Sequence, residues 1–328
     1  MINRKRAAAS AVALVATVAA LSACSSSGSG KPSASPSGRA TSTGVTASGT
    51  TTPTGSASPS TSPKQYYVSI GDSYAAGYQP TGKSAGKTTR NGFAYQLVSQ
   101  ARAKGYDLSL VNFGCAGATT ASVLKTAGCE ARNLGPGASS YSATQAAAAE
   151  QFLRAHRADV ALITVSLGGN DVTACASSSD PVSCVGSAIT TIKTNLTTLV
   201  KGLRAAAGPK VRMVGITYPD VLLGDELSQN AKLRSIAGLS VTAFQALINP
   251  GLQTAYQAGN AQFVDVTKAT GAYGSMSQKT TLAPYGSIPE PVAKICTLTF
   301  YCQYGDIHPR TNGYAVIATL IAGLLPTR

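Results

Sequence analysis

Histidine and acidic residues are scarce in this 328-residue chain: two histidines, and 13 Asp plus Glu against 27 Lys plus Arg. There is no HExxH helix and no acidic cluster, so neither a metal nor another cofactor is expected. None of the seven cysteines forms a CxxC pair with metal-like spacing. The basic residues do not run together, and aromatics make up only 6% of the chain. The positive excess therefore suits solubility and attraction to anionic surfaces rather than nucleic-acid binding. Long apolar runs are also missing. The stretch AAASAVALVATVAAL falls short of the ~20 residues a membrane span needs.

That short run does have a context. It follows the basic start MINRKR and ends in LSAC, Leu21 to Cys24, which marks residues 1–24 as a signal segment rather than part of a fold. LSAC resembles the lipobox of bacterial lipoproteins, so Cys24 is expected to carry lipid and anchor an exported chain to the outer face of a membrane. Residues 25–64 are almost wholly Ser, Thr, Gly, Pro and Ala, with no acidic residue. Such a composition cannot bury enough apolar surface to offset chain entropy, and a flexible linker of this length spans about 35 Å. Residues 65–328 are then one domain, expected to be monomeric, with 21 basic against 13 acidic residues and a charge of about +8.

With Cys24 assigned to lipid, Cys115, Cys129, Cys175, Cys184, Cys296 and Cys302 remain. Export favours disulfides, and six cysteines allow fifteen pairings. The sequence-local set 115–129, 175–184 and 296–302 is preferred because it closes three short loops. A 15-residue loop of this kind contributes ~3 kcal/mol by the chain-entropy argument.

Within the domain, QYYVSIG (65–71), LSLVNFG (108–114), DVALITVSLGG (159–169), KVRMVGITYP (210–219) and AQFVDV (261–266) read as strands. Their nearly continuous apolar character is that of strands covered on both faces. Helical stretches alternate with them, including all of 229–258 and a last helix from NGYAVIATLIAGLL. Alternation of this kind predicts an α/β fold, a parallel sheet in a three-layer α/β/α sandwich. Ligands of such sheets sit beyond the carboxyl ends of the strands, so the residues just after each strand carry the chemistry.

After the first strand stands GDSYAAG, where Ser73 either presents a nucleophilic hydroxyl at a strand-to-helix turn or merely caps the helix. It is not the G-x-S-x-G elbow. After the second stands GCAGATTASV, whose Gly117 amide is free to approach a developing oxyanion. After the third stands SLGGND, offering Asn170 as a side-chain donor. Near the C-terminus comes YGDIHPRTNGY with His308. The other histidine, His156 in FLRAHRAD, is expected to be a solvated helix-terminal residue. TGKSAGKTT (81–89) is one residue short of a P-loop and follows no strand; it reads as a basic loop beside the serine.

Taken together, GDSY, the Gly117 loop, GGND and DIHP resemble the four blocks of the SGNH (GDSL) hydrolases, in that family's order and over essentially all of 65–328. The resemblance implies a flavodoxin-like five-stranded parallel sheet of order 2-1-3-4-5 and ester hydrolysis through an acyl-enzyme. It implies Ser73 as nucleophile, His308 as base, and an oxyanion hole formed by the N–H groups of Ser73 and Gly117 with Asn170. The three local cysteine pairs resemble those of secreted actinobacterial esterases and lipases. One position departs from the pattern: family members carry Asp three residues before the histidine, and here that residue is Gly305. Two partners for the imidazole are open, the Asp306 carboxylate or the Gly305 carbonyl, and the carbonyl is slightly preferred. The function expected is that of an extracytoplasmic serine esterase or lipase acting on an ester substrate. The alternative is a catalytically silent lipoprotein of the same fold that binds envelope polymer or a partner.

Overall fold

The computed structural model describes residues 64–328; the expectations for the signal segment, the lipidated Cys24 and the linker lie outside the described residues. Five strands form one parallel sheet: β1 (Gln65–Gly71), β4 (Leu108–Asn112), β5 (Val160–Ser166), β6 (Arg212–Ile216) and β7 (Gln262–Val264). Two short hairpins lie outside it, β2 (Tyr78–Pro80) with β3 (Gly86–Thr88), and β8 (Lys279–Leu282) with β9 (Gly286–Pro289). The main sheet runs β4-β1-β5-β6-β7, which is 2-1-3-4-5 counting its own strands. Val68 pairs with Val111 on one side and Ile163 on the other.

Each sheet face is apolar because each is covered by helices. Val68, Ile70, Ile163, Val165 and Met213 share a core with Leu153, Leu196, Leu199, Leu252 and Tyr256, contributed by helices Gln145–Ala155, Pro181–Ala207 and Asn249–Gln257. Tyr67, Leu162, Val214 and Ile216 face the other way, onto Phe93, Leu97, Tyr314, Ile317 and Ile321 of helices Phe93–Arg102 and Thr311–Gly323. Successive strand residues point to opposite faces, and every fully buried Leu, Ile or Phe is worth about 1.5–3 kcal/mol. The result is the three-layer α/β/α sandwich.

The strands are shorter than the apolar runs suggest. Phe113, Leu167 and Tyr218 continue the apolar pattern and are buried, but they lie in the turns beyond the paired residues. The stretch 229–258 is not one regular helix. It is Ala231–Ala243, a π-helical turn Phe244–Ile248, and Asn249–Gln257. Residues 270–300 hold β8, β9 and a helix Glu290–Leu298. The three disulfides are Cys115–Cys129, Cys175–Cys184 and Cys296–Cys302, the sequence-local set.

Candidate active site

β1 ends at Gly71, and Ser73 opens a one-turn helix Ser73–Ala76. A side chain at Gly71 would put its Cβ 2.3 Å from the Ser166 carbonyl oxygen on the neighbouring strand end, so only glycine lets the chain turn there. The Gln145 side chain clamps the same residue, accepting from the Gly71 N–H at 2.9 Å and donating to its carbonyl at 3.0 Å. Asp72 caps the turn: its Oδ1 accepts the Tyr74 N–H at 2.9 Å. Its Oδ2 accepts the Tyr218 hydroxyl at 2.6 Å. Burial pushes the Asp72 carboxyl up to about 6, and these two donors oppose the rise. Ser73 itself is buried, with 6% of its surface exposed.

The His308 segment arrives from helix Tyr301–Tyr304, which ends at Gly305 with φ +69°. That left-handed residue, which glycine adopts without strain, turns the chain so that Asp306 folds back over its own backbone. Asp306 Oδ1 accepts the His308 N–H at 2.9 Å and lies 2.7 Å from His308 Nδ1. On the other side of the ring, Nε2 is 2.8 Å from Ser73 Oγ. The partner of Nδ1 is thus the Asp306 carboxylate and not the Gly305 carbonyl, which corrects the preference drawn from the sequence. The turn through Gly305 brings the carboxylate of a residue two positions before the histidine to the imidazole. Burial raises the Asp306 carboxyl, but hydrogen bonds from the His308 ring and amide, with the charge that ring carries when protonated, outweigh it and hold Asp306 below its ordinary value.

The segment is fixed from several directions. The Tyr74 hydroxyl donates to the Ile307 carbonyl at 2.7 Å and Gln79 Nε2 to the Pro309 carbonyl at 3.2 Å. Phe300 N–H donates to the His308 carbonyl at 3.0 Å. The Tyr78 ring lies 4.5 Å from the imidazole, centre to centre. Tyr78 opens the hairpin that carries the basic segment 81–89, which therefore follows a short strand, Tyr78–Pro80, rather than none as the sequence suggested.

Gly117 and Asn170 come together through the loops that bear them. Asn170 Nδ2 donates to the Ala118 carbonyl at 2.8 Å, and an amide NH₂ has a second hydrogen to give. Asp171 accepts from Thr120 twice, from the N–H at 3.0 Å and the hydroxyl at 2.6 Å. The N–H groups of Ser73 and Gly117 donate to no acceptor among the described residues. Several contributors escaped sequence reasoning, among them Asp72, Asp171, Tyr218, Tyr74, Gln79 and Gln145. Asp72 and Asp171 flank motif residues, a signal available in the sequence; Tyr218 has none. His156 lies away from the site, at the end of helix Gln145–Ala155. It is not simply solvated there, because its ring packs 4.9 Å from Tyr66 and 4.3 Å from Phe152.

Such an arrangement can transfer an acyl group: a hydroxyl, an imidazole, a carboxylate behind it, and free amides nearby. No curated protein sequence matches the chain. Among solved structures it is similar to an extracellular lipase from Streptomyces rimosus, 18% identical, with 78% of this chain and 99% of that one covered and a TM-score of 0.45. It is also similar to a lipase from a goat rumen metagenome, 13% identical, covering 79% and 96%, TM-score 0.48. An acetylxylan esterase from Geobacillus stearothermophilus is 15% identical, covering 80% and 96%, TM-score 0.44. The model of the GDSL-like lipase/acylhydrolase family matches residues 69–316, from β1 through His308 into the last helix. The chain belongs to the GDSL-like lipase/acylhydrolase family and is a carboxylic ester hydrolase.

Proposed function

We propose that the protein is an extracytoplasmic serine esterase that works through an acyl-enzyme on Ser73. The observation that carries this reading is the unbroken chain Ser73 Oγ–His308 Nε2 at 2.8 Å and His308 Nδ1–Asp306 Oδ1 at 2.7 Å. His308 takes the Ser73 proton as Oγ bonds to the ester carbonyl carbon. The carbonyl oxygen becomes an oxyanion, received by the Ser73 and Gly117 N–H groups and the spare hydrogen of Asn170. Collapse breaks the carbon–alkoxy bond, and the alcohol leaves with the proton held by His308. Water then gives its proton to His308 and attacks the acyl carbon. The carboxylic acid departs and Ser73 recovers its proton. Asp306 holds the ring in the tautomer that leaves Nε2 free to accept, and stabilises the imidazolium.

Export is part of the proposal. Three disulfides suit an oxidising compartment, and LSAC suits lipidation at Cys24, which would tether the domain outside the membrane. A panel of p-nitrophenyl esters from acetate to palmitate tests the activity and reads the chain-length preference. Ser73→Ala should abolish turnover while leaving the fold intact; a variant that keeps its activity places the nucleophile elsewhere. A wild-type protein inert on every ester would instead favour the binding-only alternative.

A further inference from the structure

Tyr218 stands two residues beyond the end of β6, and its backbone is pinned to β7 and the turn that follows. Its carbonyl accepts the Thr267 hydroxyl at 2.7 Å, and the Thr217 N–H beside it donates to the Val264 carbonyl at 3.2 Å. The side chain is buried and reaches the two loops that carry Ser73 and Asn170. Its ring meets Tyr74 edge-on, 5.0 Å centre to centre at an interplanar angle of 80°, and Tyr74 belongs to the one-turn helix that Ser73 opens. The same ring packs on the backbone of Gly169, where a Cβ would come within 3.0 Å of Cε1 and Cζ. Gly169 precedes Asn170 and begins the helix Gly169–Thr173.

The hydroxyl is committed to the same junction. It donates to Asp72 Oδ2 at 2.6 Å, and Asp72 directly precedes Ser73. Of the two donors that oppose the effect of burial on the Asp72 carboxyl, Tyr218 acts more strongly than the Tyr74 N–H. Without it a buried carboxylate oxygen loses its donor, a change costly enough to move the turn. Among the described residues no hydrogen bond joins segment 72–77 directly to segment 168–173, so the spacing of the two loops here is set by what packs against both.

We propose that Tyr218 is a positioning residue for ester hydrolysis, one whose ring spaces the Asn170 loop from the Ser73 turn and whose hydroxyl holds that turn through Asp72. The Ser73 N–H and the Asn170 amide then meet a developing oxyanion at one fixed separation, as electrostatic stabilisation requires of donors set in place beforehand. Tyr218 acts through Asp72 and Gly169 rather than on the substrate. This role rests on the esterase reading and extends it to the end of β6, which bears none of the four sequence blocks.

Steady-state kinetics of the full chain on p-nitrophenyl acetate test the proposal, with Ser73→Ala as the reference for turnover at the site. Tyr218→Phe keeps the ring and removes the hydroxyl, and should lower kcat about tenfold with KM changed less than about twofold. Gly169→Ala presses a Cβ against the ring and should do the same from the other loop. A general loss of stability would lower activity alike in any background, so a double-mutant cycle with Asn170→Ala decides the matter. Once the Asn170 amide is gone, Tyr218→Phe should cost less than about threefold, because the donor whose place it sets is no longer there. Thermal melts confirm that each variant is folded, and Gly169→Ala carries the cycle if Tyr218→Phe is not. An equal cost in both backgrounds overturns the proposal, as does wild-type kcat in Tyr218→Phe. Either result, with turnover that Ser73→Ala abolishes, leaves the esterase reading standing. A wild type without turnover, or full turnover in Ser73→Ala, takes both down together.

Discussion

One oxygen of Asp306 serves both the backbone and the ring of His308. Oδ1 accepts the amide at 2.9 Å and faces Nδ1 at 2.7 Å, so the carboxylate shapes the turn and orients the imidazole at once. Replacement by Asn keeps an acceptor for the amide but removes the charge that steadies the imidazolium. An amide NH₂ turned toward Nδ1 would also favour the tautomer whose Nε2 already holds a proton and cannot take the one on Ser73. A buried protease carboxylate in this role supports roughly 10⁴-fold in kcat. The Asp306 side chain is 23% exposed, and solvent shares its work. Asp306→Asn is therefore expected to lower kcat by about 10²–10³-fold with KM nearly unchanged, measured on p-nitrophenyl butyrate alongside a matching thermal melt. A loss under tenfold would return the orienting role to the Gly305 carbonyl. Asp72 is different: it stands next to Ser73 yet both its oxygens accept from Tyr74 and Tyr218, which stiffens the turn that Ser73 opens.

At the scale of elements, the five strands were legible because a strand covered on both faces is written as an uninterrupted apolar run, VALITVS in β5 being the clearest. Their ends were not, since Leu167 and Tyr218 are buried in the turns beyond the paired residues. The helix Glu290–Leu298 was hidden by the prolines at its start. His308's partner was misjudged because the sequence does not announce how far Gly305 turns the chain. Asp220, in the plain-looking TYPDVLLGDE, was equally silent. It lies fully buried after β6, with Oδ2 on Ser240 and Oδ1 unpartnered among the described residues. Burial raises its carboxyl to about 7, against 3.8 when free. Between these values the folded protein binds more protons than the unfolded chain, so stability falls as pH climbs and the full penalty stands above pH 7. Asp72 acts in the same direction up to about 6. Asp220→Asn removes the charge but buries an amide donor in its place, a cost of about 1–3 kcal/mol. The net gain at pH 8 should be about 1–3 kcal/mol, or roughly 3–9 °C in Tm, and should turn into a loss by pH 4, where the charge penalty is gone and the cost of the amide remains. A variant no more stable than wild type at pH 8 would show that Asp220 carries little charge strain.

For the whole molecule, the disulfides decide how rigid the catalytic rim is relative to the sheet beneath it. The bridges close loops with sequence separations of 14, 9 and 6, and the chain-entropy argument gives each about 2–3 kcal/mol. None joins two strands of the sheet. Cys115 lies two residues before Gly117, Cys175 five after Asn170, and Cys302 ends its loop six residues before His308. The apolar layers on both faces of the sheet do not depend on them, whereas the loops that carry Gly117, Asn170 and His308 lose a restraint when they are opened. Reduction should therefore separate stability from activity. With dithiothreitol in mild denaturant to reach the buried sulfurs, followed by return to buffer at 20 °C, far-UV circular dichroism should remain native-like. Tm should drop by on the order of 15 °C, and kcat on p-nitrophenyl butyrate should fall at least tenfold, because donors must be held in place before the reaction to stabilise its charge. The paired substitution Cys296→Ser with Cys302→Ser should reproduce much of the kcat loss with only about a third of the fall in Tm, since it loosens the one loop that delivers both Asp306 and His308. Full activity in the reduced protein would mean that Tyr74, Gln79 and the Asn170 and Asp171 contacts suffice to hold the rim, and that the bridges serve only to keep an exported chain folded.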